Sequence, residues 1–87
     1  EVRGGYCGDL LSWVMGRASA FDAWITVMGN VNAVAVAVLA DVSCIILADS
    51  SALDDDARAR AEQQGVAVLR SEKNQYELCC ALGRLLD

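Results

Sequence analysis

Hydrophobic residues gather in short runs separated by polar or glycine-marked breaks, and the longest such stretch extends from Trp24 to Leu47. It opens on Trp24, Ile25 and Val27, breaks at Gly29-Asn30, resumes as an Ala/Val run to Leu39 and Ala40, and closes with Val42 to Leu47. The middle run alternates as a strand would, with Ala33, Ala35 and Ala37 between Val34, Val36 and Val38. A strand ending near Ala40, however, would have to turn back through Ala-Asp, which lacks the Gly or Asn of tight hairpins. A helix can end there, and Asn30 or Asn32 can cap its start by accepting from a free backbone N–H. The stretch therefore reads as strand, loop, helix, strand, the unit that builds a parallel sheet.

The flanks follow the same rhythm. Glu1 to Arg3 is too short for a complete strand, and Gly4-Gly5 has the character of the turn after one, so residues upstream of Glu1 are expected. Gly8 or Asp9 can cap a short helix with Leu10, Leu11, Val14 and Met15 on one side and Gly16 as its stop. Asp54, Asp55 and Asp56 fall in the first turn of a further helix and complement its positive end. On that helix Asp54 pairs with Arg58 and Asp56 with Arg60 at i,i+4, Ala57 and Ala61 form a narrow inner stripe, and Gly65 closes it. Val66 to Leu69 reads as a short strand, Ser71 to Asn74 as a polar turn offering a cap, and Gln75 to Leu86 as a last helix. Tyr76, Leu78, Cys79, Leu82 and Leu86 are its expected core contacts. The expected fold is a single α/β domain over residues 1–87, a three-layer α/β/α sandwich with a mainly parallel sheet of about four strands.

Composition narrows the function classes. Hydrophobic residues make up 55% of the 87 residues and aromatics only 6%, so the core must be aliphatic, as in a helix-covered parallel sheet. A net charge of −5 with seven Lys plus Arg leaves no basic patch and argues against nucleic acid. The low-charge run from Ala23 to Ala40 is interrupted by Gly29, Asn30 and Asn32, which makes it a poor membrane span. With no signal peptide visible, a cytoplasmic location is expected.

Two segments, G-G-Y-C-G-D-L-L-S-W-V-M-G (Gly4 to Gly16) and the Trp24 to Leu47 stretch, resemble the DRTGG domain family, together with S-A-L-D-D-D and A-E-Q-Q-G-V-A-V-L further on. The likeness is to the small stand-alone type encoded near iron hydrogenases in anaerobic bacteria. Related modules occur in some phosphotransacetylases and between CBS domains of certain clostridial pyrophosphatases, and the fold is similar to the non-catalytic domain of HPr kinase. The resemblance covers nearly the whole chain and implies a three-layer α/β/α domain, often dimeric, with a regulatory or accessory role. The name-giving residues do not occur here as a run. Where such relatives commonly carry a His before the Asn that opens the central helix, this chain has Asn30 next to Val31-Asn32 and no His at all.

Catalytic chemistry has little to work with. His is absent, the Asp54 to Asp56 run reads as a helix-start decoration, and the phosphate-loop pattern with its lysine is missing, so no enzyme activity and no cofactor are expected. Cys7, Cys44, Cys79 and Cys80 lack metal-ligand spacing and are expected to be unbridged and metal-free in a reducing compartment. Cys7 stands apart because it falls in a Gly-rich loop before a helix start, where a thiolate can be stabilised. The one ligand site the pattern supports lies at the strand-to-helix loops, with Gly5, Asp9, Gly29, Asn30 and Asn32 as candidates for an adenine nucleotide or other phosphate. A homodimer is expected as well. From Ala33 to Ala40 every residue is Ala, Val or Leu, so the helix has no polar back, and Val34, Val36, Val38 and Leu39 are placed at the dimer interface. The leading expectation is an accessory or regulatory module acting through protein–protein contact in an anaerobic, hydrogenase-linked redox system; a ligand sensor is the alternative.

Overall fold

A computed structural model describes residues 1–86. Four strands and four helices alternate: β1 (Gly4–Cys7), α1 (Leu11–Arg17), β2 (Asp22–Thr26), α2 (Val31–Ala40), β3 (Cys44–Leu47), α3 (Asp55–Gln64), β4 (Ala67–Arg70) and α4 (Gln75–Leu86). The strands form one parallel sheet in the order β1-β2-β3-β4. Because the order advances in one direction, right-handed crossovers place α1, α2 and α3 on the same face, and α1 packs on α2 and α2 on α3. The last helix crosses to the other face and lies over β1 and β2. This is the expected α/β/α sandwich.

Register fixes which side chains meet each layer. Tyr6, Trp24, Ile45 and Val68 stand side by side across the sheet, and they pack with Val14, Ala33, Val36 and Ala37 in the main core. Trp24 is fully buried, and its indole N–H donates to the Gly8 carbonyl at 2.9 Å, so the largest core side chain leaves no orphan donor. On the opposite face Gly5 lies under α4, so close that a Cβ there would sit 2.6 Å from Leu82 Cδ2. Gly4-Gly5 thus begins a strand rather than a turn, and the absence of a side chain at Gly5 is what lets α4 approach it.

Helix ends explain the boundaries. Asn30 caps α2 by accepting from the Ala33 N–H at 2.9 Å, and Asp41 ends it in the left-handed conformation (φ 59°), which Asp tolerates better than most residues. Gly65 ends α3 in the same way, φ 69°. Asn74 and Glu77 cap α4 reciprocally, each side chain accepting from the other's backbone N–H, at 2.8 and 3.0 Å. The first helix departs from expectation: no side chain caps it, Gly16 lies inside it, and Leu10 and Met15 are exposed while only Val14 is buried. The charge pairs expected on α3 are not formed; among the described residues the one ion pair joins Arg3 to Glu1. Tyr76 and Leu86 face solvent, so the inner stripe of α4 is narrower than the sequence suggested.

Candidate functional site

In a parallel sheet ligands settle at the carboxyl ends of the strands, where helix amino termini converge. Here the loops at that edge are tied to one another. Asp9, after β1, accepts from Thr26 Oγ1 at 2.7 Å and from the Val27 N–H at 3.0 Å, joining the first loop to the second. Gly29, after β2, accepts from the Asp54 N–H at 2.8 Å, joining the second loop to the third. The Asp49 and Ser50 N–H groups donate to the carbonyls of Lys73 and Ser71 at 2.9 and 2.8 Å, joining the third to the fourth. Gln75 closes the circuit, its amide donating to Asp9 Oδ1 at 3.0 Å and Oδ2 at 3.2 Å.

The five residues singled out for a ligand site are divided by this arrangement. Asp9, Gly29 and Asn30 lie on the rim, but Asp9 and Asn30 spend their side chains on the protein itself and Gly29 is packed against the Ala52-Leu53 backbone. Gly5 lies back in β1 beneath Leu82, away from any strand-to-helix loop. Asn32 is exposed on α2, where Asn30 already serves as the cap. Replacing a capping Asn of this kind costs about 0.5–2 kcal/mol of stability.

Burial raises the Asp9 carboxyl, but the hydrogen bonds from Thr26, the Val27 N–H and Gln75 outweigh it and hold the group below its ordinary value. The unfolded chain therefore binds the proton first as pH falls. The carboxylate's contribution is fully present above the ordinary value of 3.8 and is lost as pH drops through the lower folded value. Melting the protein and Asp9→Asn from neutral pH down to about pH 2 should show the wild-type advantage shrinking over that acid range. An advantage unchanged at low pH would contradict an ionised hub.

Sequence reasoning missed Thr26 and Gln75. A Thr inside an otherwise apolar run was the available signal for the first; the second lies 66 residues from Asp9 and had none. The dimer-interface candidates are also divided. Val34 and Val36 are covered by the chain itself, Val34 against Ala57 and Ala61 of α3 and Val36 in the main core, which corrects their placement at the dimer interface. Val38 and Leu39 are open, at 40% and 70% exposure. They form a shallow groove with Ala35, Arg60 and Gln64.

Cys7 ends β1 instead of lying in a loop, and although the residue is exposed, partial desolvation of its thiol, followed by the neighbouring Cys79, pushes it up to about 11. That is the reverse of the thiolate stabilisation that a Gly-rich loop at a helix start can provide. Cys44 is buried in β3, and burial raises it too. Among the described residues no group of three or more His, Cys, Asp or Glu could hold a metal ion, and no helix is long and apolar enough to cross a membrane. No protein-family model matches the chain, and neither the curated proteins nor the solved structures yield a match.

Proposed function

We propose that this chain is a non-enzymatic accessory or regulatory module that acts through protein–protein contact and works as a homodimer through the outward side of α2. The observation that carries the reading is that side: Ala35, Val38 and Leu39 face solvent on a helix whose only polar side chain is Asn32. The adjacent α3 shows what a solvated helix of this fold looks like: apart from buried Ala57 and Ala61 and a single exposed alanine, Ala59, every residue is Asp, Arg, Glu or Gln. A second copy meeting the first through α2 removes Val38 and Leu39 from water on both chains. The rim supports the non-catalytic part, because its polar groups are engaged in holding the four loops together. The DRTGG resemblance supplies the setting: a cytoplasmic, anaerobic redox system linked to hydrogenase, with a protein partner from that system.

A thermal-shift screen with adenine nucleotides, inorganic phosphate and phosphorylated metabolites tests the reading. A ligand at a hundred times its Kd would stabilise the fold by about 2.7 kcal/mol, which for a domain of this size is a rise in Tm of roughly 10–20 °C. None of these compounds is expected to raise it. A rise of that size with a nucleotide or phosphate, lost in Asn30→Ala or Asp9→Asn, would replace the interaction module by a ligand sensor.

A further inference from the structure

Cys7 and Cys79, 72 positions apart in sequence, line the same cavity where α4 crosses β1. Cys7 is the last residue of β1 and lies level with Ile25 in the next strand; Cys79 lies in the second turn of α4. Both line one cavity of about 270 Å³ between helix and sheet, with Gly5, Ile25 and Leu82 around them. Helix and strand approach closely there, since a Cβ on Gly5, two residues before Cys7, would sit 2.6 Å from Leu82 Cδ2, three residues after Cys79. The other two cysteines are placed differently: Cys44 is buried in β3, and Cys80 lines the outer side of α4 with Tyr76 and Lys73. Cys7 is exposed and Cys79 half-buried, so a small reagent can reach the pair.

We infer that Cys7 and Cys79 form a reversible disulfide that fastens α4 to β1. The oxidant is a low-molecular-weight disulfide such as glutathione disulfide. One cysteine thiolate attacks a sulfur of that disulfide, breaking its S–S bond, forming a mixed disulfide and expelling one glutathione thiolate, which takes up a proton. The second cysteine gives its proton to water and attacks the protein sulfur of the mixed disulfide, expelling the second glutathione. Two protein thiols are oxidised and one glutathione disulfide is reduced to two thiols. Because Cys7 holds its proton well above neutral pH, closure is slow near pH 7 and speeds up as pH rises.

The bond would matter to the fold because α4 is the sole helix on its face among the described residues and buries no residue completely. Its attachment rests on half-buried Leu78, Cys79 and Leu82 and on the Gln75 to Asp9 bond. Closing so long a loop should raise Tm by roughly 18–35 °C on the chain-entropy estimate.

The test incubates the reduced chain with glutathione disulfide, traps remaining thiols by alkylation and maps tryptic peptides by mass spectrometry. The expected product loses two hydrogens, links the Gly4 to Arg17 peptide to the Asn74 to Arg84 peptide, and reverts with dithiothreitol. It should persist in Cys44→Ser and Cys80→Ser and vanish in Cys7→Ser and Cys79→Ser. Should Cys79→Ser fail to fold by circular dichroism, Cys79→Ala takes its place. Stable glutathione adducts without a cross-link, a link that survives in the Cys79 variant through Cys80, or a cross-link that leaves Tm unchanged would each overturn the inference.

Discussion

Val36→Glu abolishes folding, whereas Val38→Glu, two positions along the same helix, leaves a folded protein. Val36 is only 6% exposed and packs among Trp24, Ala33, Ala37 and Ile45. A glutamate there either carries an unpaired charge into an aliphatic core, at a cost of several kcal/mol, or takes up a proton and leaves a carboxyl without partners. The lost Val packing adds about 1.5–3 kcal/mol. Against a total stability of about 5–15 kcal/mol for a small domain, these terms together are enough to unfold it. Val38 is 40% exposed, so its glutamate reaches water and costs the isolated protomer about 0.5 kcal/mol or less. Circular dichroism and urea melts of both variants check the contrast. Cooperative melting of Val36→Glu close to the wild type would contradict the orientation of α2.

Gly29→Ala should be nearly as damaging, for a reason that lies in backbone contact. A Cβ at this position would sit 1.9 Å from the Ala52 carbonyl oxygen and 2.9 Å from its carbon, inside any tolerable approach. The neighbour is backbone, so it cannot rotate away as a flexible side chain would. To make room, the loop after β2 must separate from the loop after β3, which breaks the 2.8 Å bond from the Asp54 N–H to the Gly29 carbonyl and opens the circuit at the strand ends. Forced insertion into a packed site costs about 1–3 kcal/mol or more, equivalent to a fall in Tm of roughly 5–25 °C. Gly16→Ala is the control, since nothing lies within 4 Å of its Cβ and the residue is inside α1. That change should stabilise by about 0.5–1 kcal/mol. Equal melting of Gly29→Ala and the wild type would refute the close packing of the two loops.

How far the fold was legible before the structure depends on whether the deciding interaction was local. The helix over Val31–Ala40 could be inferred despite its strand-like alternation because Ala-Asp cannot make a hairpin, and the structure ends the helix there through left-handed Asp41. Asn30, Gly65 and the Asn74 cap were readable for the same reason, since each acts within four residues. Gly4-Gly5 was misread because two glycines carry no hydrophobic signal; their place in a strand depends on Leu82, far along the chain. Leu10 and Met15 were assigned inward by spacing alone, and a helix of seven residues capped by no side chain has too few turns for spacing to fix its rotation. Half of the candidate site was visible as residue types at loop positions. Its closure by Gln75 and the meeting of Cys7 with Cys79 depend on α4 crossing to the second face, which no local pattern encodes.

Light scattering over a dilution series compares the chain with the Val38→Glu, Leu39→Glu double variant and tests directly whether the outward side of α2 is an interface. The wild type should show twice the chain mass at high micromolar concentration and fall toward a single chain on dilution. The double variant should keep the wild-type circular dichroism spectrum and remain a monomer throughout. A wild type that stays monomeric at high micromolar concentration, or a folded double variant that still dimerises, would contradict the homodimer through Val38 and Leu39.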